Sequence, residues 1–374
     1  MKYLNISDYK KTMYQIPIFD VLIKEGVENK DAFLESKKIA PTSYRRAKTK
    51  EQNIGEEIVK KLAKHFKLKL ITDDIVDKLE KLLNEIYLDI NFRVSTKHNI
   101  YLEQLDKLLD EDYIISPIIE LIKLFVVTFS ENDIPVILTE HIEDFNYVSD
   151  YKDMFNEDLL IIYNMLKLAY SKTFTKEMLA KDYNSGICYS IIAINHNIHK
   201  KYYESLFFAE KAKKVYLNEN NFKRAIYINF TLLNNLASTA NYDQYYSLAR
   251  EQMLIVRSFD FGEVEYNASY KHLVTSSISA KKYEETIELL KLKKGLTPTE
   301  ICCYTIAQYY LLSKEEFNNW CDKNIFYEGN SLKIKDCISH LITFLKNPQK
   351  QKVTPLEDYN LMPALLDILK WSLI

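Results

Sequence analysis

The chain has 374 residues, with 50 Lys+Arg against 52 Asp+Glu for a formal net charge of −2, and its 47% hydrophobic content excludes an intrinsically disordered protein. Only 6 Gly and 8 Pro leave little turn chemistry for a sheet-rich fold, so with a 3.6-residue periodicity along most of the chain an all-α protein is expected. Five scattered cysteines (Cys188, Cys302, Cys303, Cys321, Cys337) form no CxxC pair and no framework spacing, which argues against a disulfide-stapled secreted scaffold and fits reduced thiols of a cytoplasmic protein.

The N-terminal residues MKYLNISDYKK lack the apolar stretch of a signal peptide. Four short helical patterns follow: Ile16–Gly26, Asp31–Lys38, one opening at Pro41 (PTSYRRAKTKE) and one opening at Ile54 (IGEEIVKKLAKHFKL). Proline in a first helical turn loses no hydrogen bond and has its φ preset, so Pro41 marks a helix start. The element it opens crowds Thr42, Ser43, Tyr44, Arg45, Arg46 and Lys48 together, with Lys50 just beyond. Polar side chains that touch base edges and cations that hold phosphates are what a DNA-recognition helix needs. The fourth pattern carries an apolar stripe (Ile54, Ile58, Val59, Leu62, Phe66) on which the other three can pack.

The segment IAPTSYRRAKTKEQNIGEEIVKKLAKHFKL resembles the second half of a phage-repressor-type (Xre/Cro-like) helix-turn-helix. It departs from that pattern in three places. Ala40 stands at the N-cap, at a cost of about 1 kcal/mol. Lys38–Ile39 replace the glycine common in the inter-helix turn, and Asn29 or Lys30 replaces a glutamine at the second helix. Charge points the same way as the resemblance. Residues 1–68 hold 15 Lys+Arg and 9 Asp+Glu, so a basic head sits on an acidic body. A basic patch attracts phosphate backbone in a salt-dependent manner.

Beyond the head, Ile75–Tyr87 and Asn99–Leu109 are amphipathic and are expected to link head to body, with Asp89–His98 as a loop between them. The most apolar run, Tyr113–Phe129, is broken by Pro117, Glu120 and Lys123 and is too short and charged to span a bilayer, so no membrane association is expected. The resulting division is a DNA-binding domain at 1–70, linker helices at 71–112 and a helical body at 113–374.

Three segments of the body can be superimposed in sequence: Tyr189–Tyr216, Asn229–Val256 and Tyr270–Leu296. Their tyrosine anchors, Tyr202, Tyr242 and Tyr283, recur at intervals of 40 and 41 residues, each following one apolar helix and opening another. A further pair, Ile301–Leu312 and Lys314–Asp322, matches poorly. The pattern resembles the tetratricopeptide repeat (TPR), in which a tyrosine after the turn packs between two helices. Small residues of that frame fall at Ala193, Ser205 and Ala212 in the first repeat. Val274, Thr286 and Lys293 take those places in the third, and Leu233, Tyr245 and Gln252 in the second. The resemblance implies a degenerate, right-handed helical solenoid whose concave groove binds an extended peptide.

Carrying the repeat frame over, the groove would be lined by Ser190, Ile194 and Asn197, then Tyr227, Phe230, Thr231 and Asn234, then Lys271, His272 and Thr275. Asparagine can both donate to and accept from a peptide backbone, so Asn184, Asn197, Asn229 and Asn234 are further candidates.

A helix-turn-helix head joined to a TPR-like body resembles the peptide-sensing regulators of Gram-positive bacteria and their mobile elements, of the Rgg, PlcR and PrgX types and the arbitrium receptors of phages. That resemblance implies a cytoplasmic homodimer on inverted-repeat operator DNA, controlled by a short signalling peptide in the solenoid groove. The alternative of a different class is a TPR-type adaptor that inhibits a protein partner without touching DNA, as the Rap-type relatives do. At the C-terminus, Leu361–Ile374 is apolar nearly all round and is expected to cap the solenoid or to dimerise through Leu365, Leu369 and Trp371. No catalytic constellation is present. His196 and His199 stand at i and i+3 with no third ligand in sight, so no enzyme activity, metal or cofactor is expected.

Overall fold

Helix-starting and helix-stopping signals dominate the sequence, and the computed structural model is all-α among its described residues, with no strand beyond one isolated bridge between Lys69 and Tyr113. Those residues are 3–92, 97–130, 141–171, 173–181, 183–259, 261–291, 296–323 and 332–346. The expected C-terminal residues Leu365, Leu369 and Trp371, and Lys293 of the third repeat, lie outside them.

The head forms α1 (Ile16–Gly26), α2 (Lys30–Ser36), α3 (Pro41–Lys48) and α4 (Glu56–Phe66), close to the expected bounds. Asn29 caps α2 by accepting from the Ala32 N–H at 3.0 Å, whereas Ala40 gives α3 no side-chain cap. Helix α2 ends in a left-handed turn. Lys38 has φ 59°, and the Ile39 N–H reaches back to the Leu34 carbonyl at 2.9 Å. Glycine is the usual residue in such a turn, so the substitution visible in the sequence is tolerated here without a change of turn type. Ile39 and Leu34 are both buried and supply the apolar contact that accompanies the motif.

Among the described residues, nine further helices run through the first superimposed segment and into the second: α5 (Asp73–Phe92), α6 (His98–Leu109), α7 (Ser116–Ser130), α8 (Ile142–Asp150), α9 (Glu157–Tyr170), α10 (Lys176–Ala180), α11 (Gly186–Ile198), α12 (Tyr202–Asn218) and α13 (Phe222–Ser238). The expected loop at Asp89–His98 is corrected in its first half, because α5 continues to Phe92. Its last carbonyls are held from far along the chain. Asn221 donates to the Asn91 carbonyl at 2.7 Å, and the Arg224 guanidinium donates to the carbonyls of Asn91 and Ile90. A cation on exposed C-terminal carbonyls satisfies them and complements the helix dipole.

The remaining helices are α14 (Tyr242–Phe259), α15 (Glu263–Ser279), α16 (Tyr283–Lys291), α17 (Pro298–Leu311), α18 (Lys314–Lys323) and α19 (Leu332–Lys346). Tyr202, Tyr242 and Tyr283 are the first residues of α12, α14 and α16. Two residues before each stands a left-handed residue, Lys200 (φ 59°), Ala240 (φ 55°) and Lys281 (φ 58°). In each turn the next N–H bonds a carbonyl five residues back: Lys201 to His196, Asn241 to Leu236 and Lys282 to Ser277, at 2.8–2.9 Å. The sequence period is therefore a period of identical helix-ending turns. The eight small-residue positions of the repeat frame that are described, from Ala193 to Thr286, are all buried.

A Cβ in the left-handed region costs roughly 1–2 kcal/mol at each of the three sites, and at Ala240 it is the whole side chain. Ala240 is exposed, so Ala240→Gly touches nothing else. We expect this variant to be stabilised by about 0.5–1 kcal/mol after the extra unfolded-chain entropy of glycine is subtracted. Chemical denaturation checks it, and an unchanged or lowered midpoint would contradict the left-handed turn.

The chain divides into two compact units, Met1–Ile194 with Lys214–Arg224, and Asn195–Lys213 with Ala225–Ile374. In the first, α1 packs on α3 and α4 around Phe19, Ile23, Tyr44 and Leu62, and α7 packs on α5, α6, α8 and α9. In the second, α15 is enclosed by α14, α16 and α17. Its serines and threonines are satisfied internally: Thr275, Ser276, Ser277 and Ser279 donate to carbonyls of their own helix at 2.8–2.9 Å. No helix among the described residues is long and apolar enough to cross a membrane.

Candidate functional site

Helix α3 presents one face inward and one outward. Tyr44 and Ala47, three residues apart, are buried, and Thr42, Arg45, Arg46 and Lys48 are exposed. Ser43 is half-buried, and its carbonyl accepts from the Gln52 side chain at 3.2 Å. One of the seven residues expected to meet DNA is corrected. Tyr44 has no exposed surface, with its hydroxyl 3.4 Å from the Ile16 carbonyl, and burial pushes that hydroxyl's pKa far up. It belongs to the core because α3 has only Tyr44 and Ala47 with which to pack on α1. Lys50 lies in the left-handed turn after α3 (φ 60°), with its ammonium 4.8 Å from the Tyr14 ring centre. It lines a polar cavity of about 490 Å³ with Asn5, Asp8, Phe155 and Asn156. Burial lowers its pKa against the pull of Asp8 and Asp153.

The outward cations are partly matched by acids of the head itself. Arg45 pairs with Asp31 at 2.7 Å and Lys48 with Asp20 at 2.6 Å, and Lys30 also bonds Asp20. Burial works to raise the Asp20 pKa, but the Lys30 and Lys48 ammonium groups outweigh it and hold the carboxyl below its ordinary range. Arg46 is exposed on the same face as Arg45. The Arg45–Asp31 pair is exposed on both sides and therefore weak, so a phosphate can replace Asp31 at small cost.

The second candidate site lies in the second unit. On α13, Tyr227, Phe230, Thr231 and Asn234 fall at i, i+3, i+4 and i+7, and they form a stripe that is half-buried at its first three positions and exposed at the last. Side-chain bonds join this helix to its neighbours. Asn197 of α11 donates to Asn235, which donates to Ser205 of α12 at 2.6 Å. On the other flank the Tyr227 hydroxyl bonds Glu265, and Phe230 packs on His272 of α15 with ring centres 5.7 Å apart. The structure thus brings Tyr227, Phe230, Thr231 and Asn234 onto one face, whereas Asn197 meets the inward-turned Asn235, and Lys271 is exposed on α15.

Two other expected groove residues are enclosed rather than open. His272 and Thr275 are buried in the enclosed helix α15, His272 sharing a 3.0 Å hydrogen bond with the Tyr245 hydroxyl and Thr275 bonding its own helix. Their correction follows from the enclosure of α15 by three helices, which the repeat frame did not anticipate. Asn184 is exposed but belongs to the first unit, as does Ser190, which bonds Tyr216 at 3.0 Å. Asn229 is buried, and its side-chain carbonyl has no hydrogen-bond partner among the described residues. Sequence reasoning missed Asn235 and Glu265. Asn235 adjoins the chosen Asn234, but only the phase of α13 tells which amide turns inward.

The chain matches no protein-family model, no curated protein and no solved structure.

Proposed function

We propose that the chain is a DNA-binding regulator whose α3 enters the major groove of an inverted-repeat operator, and whose α13 face takes a short extended peptide that controls that binding. One observation carries the reading. Helix α3 spends its two apolar side chains on the core and turns Thr42, Arg45, Arg46 and Lys48 outward from a basic head. That division of labour suits a helix that touches bases and phosphates. On the α13 face, one amide, two hydroxyls and two aromatic rings stand in one partly open stripe, a mixture suited to holding a peptide backbone beside an apolar side chain. The resemblance to the peptide-sensing regulators adds the expectation of a homodimer and of a cytoplasmic setting.

A second reading has its own observation. Arg45 and Lys48 are already paired with Asp31 and Asp20. An α3 face with two of its cations so paired suits a protein-docking bundle, and the chain would then be an adaptor that inhibits a protein partner.

The two are separated by incubating purified full-length protein with genomic fragments at low and moderate salt and sequencing what is retained. A regulator yields a few inverted repeats, and Arg45→Ala/Arg46→Ala weakens their binding roughly 30-fold or more, since each base- or phosphate-contacting arginine is worth about 1–3 kcal/mol. Diffuse retention that vanishes with salt, unchanged in the variant, would leave the adaptor reading.

A further inference from the structure

Residues 3–6 are held as a peptide is held by a receptor. Their exposure alternates: Tyr3 is 70% exposed, Leu4 1%, Asn5 exposed and Ile6 1%. That period of two is the signature of an extended chain with every second side chain seated in a pocket. The backbone between the seated side chains is bonded group by group by side chains of α5 and of the start of α9. The Asn84 amide accepts from the Leu4 N–H and donates to the Leu4 carbonyl, both at 2.8 Å. Asp158 accepts from the Asn5 N–H at 2.8 Å, and Asn156 donates to the Asn5 carbonyl at 2.6 Å. Glu80 accepts from the Ile6 N–H at 2.7 Å.

The stripe that does this on α5 is regular. Asp77, Glu80 and Asn84 fall at i, i+3 and i+7 on one face, and Asp77 pairs with Lys10 at 2.7 Å. The strap therefore runs antiparallel to α5, with Leu4, Ile6 and Lys10 meeting Asn84, Glu80 and Asp77 in turn. Five bonds to main-chain atoms fix an extended backbone without reading the side chains at positions 3 and 5, and burial of the side chains at 4 and 6 selects apolar residues there.

We propose that the cleft between α5 and the start of α9 is a peptide-binding site of the Leu-Xaa-Ile class, filled in this chain by its own extended residues 3–6, ahead of the 3-10 turn at Ser7–Lys10, and that an extended peptide of the same pattern displaces them. The site involves none of the residues of the α13 face and stands whatever the head binds. Because the strap leads directly into the turns before α1, its release frees the first residues of the head.

The test uses the full chain and a fluorescent, N-acetylated peptide of residues 3–10 (YLNISDYK). A tethered strap competes at an effective concentration of about 1 mM, so the native chain should bind the added peptide weakly. Leu4→Ala/Ile6→Ala, which weakens the resident strap, should bind it at least tenfold tighter, and adding Asn84→Ala should remove that gain. Hydrogen exchange on the native chain is the second readout: excess unlabelled peptide should speed exchange of the Leu4, Asn5 and Ile6 amides severalfold. That readout decides the matter if the double variant fails to fold. Binding indifferent to Asn84→Ala would overturn the proposal. So would strap amides that exchange at an unchanged rate in excess peptide.

Discussion

Tyr44→Ala is expected to unfold the head, at a cost of about 3–5 kcal/mol, the range for truncating a fully buried aromatic side chain. The ring has no exposed surface and lies where α3 packs on α1, with the Lys30 ammonium 4.9 Å from its centre. Truncation therefore opens a cavity and removes the larger of the two apolar side chains that hold α3 in place. A whole domain is stable by only about 5–15 kcal/mol, so a loss of this size is enough to lose a small helical head. The informative companion is Tyr44→Phe. Its hydroxyl sits 3.4 Å from the Ile16 carbonyl, a weak bond, and the loss should be below about 1 kcal/mol. Denaturation followed by hydrogen exchange in α1–α4 measures both variants. If Tyr44→Phe kept its stability but lost DNA retention, the hydroxyl would be a base contact after all, and the core assignment would be wrong.

The second large effect is a pH dependence carried by His272. Burial lowers its pKa from 6.5 to about 4, with Lys271 adding a smaller push in the same direction. The unfolded chain takes up a proton near 6.5 and the folded chain only near 4. Stability from this residue is thus fully present above about pH 6.5 and is lost as pH falls through that window. At about 1.4 kcal/mol per pH unit the full loss is on the order of 3 kcal/mol. His272→Phe should remove this slope. It should also lower stability at neutral pH, because the Tyr245 hydroxyl loses its 3.0 Å partner. The comparison of unfolding midpoints at pH 7 and pH 4.5 isolates the effect, since other groups, including His196, whose pKa burial also lowers, are common to both proteins. Parallel pH profiles for the two chains would show that His272 is protonated without penalty, and that α15 is less enclosed than described.

Much of the head was legible because its signals are local. Pro41 starts a helix by its fixed φ, and the apolar spacing of α4 follows from helix geometry alone. The misplacement of Tyr44 was avoidable, since a tyrosine three residues from an alanine, in a helix otherwise polar, is the only inward face that helix can have. The loop expected at Asp89–His98 was not avoidable in the same sense. Its helical first half depends on Asn221 and Arg224, 130 and 133 residues away, which supply the carbonyl partners that the local sequence lacks. The groove set failed at His272 and Thr275 for a related reason. A helix rich in serine, threonine and histidine has the composition of a surface element, and residues 272–279 of α15 are buried because their hydroxyls bond their own helix's carbonyls and are free to pack.

What the sequence determined by itself was the helical class, the four short helices of the head and the period of the tyrosine anchors. Each rests on interactions between residues fewer than about six apart, where chain geometry is fixed by φ preferences and caps. What only the tertiary structure decided was which residues of those helices face out. It decided that Arg45 and Lys48 meet acids of the head, that the α13 stripe is partly open while α15 is shut, and that residues 3–6 are seated between α5 and α9. Burial depends on what the rest of the chain places nearby, and the side chain that settles it can lie more than a hundred residues away.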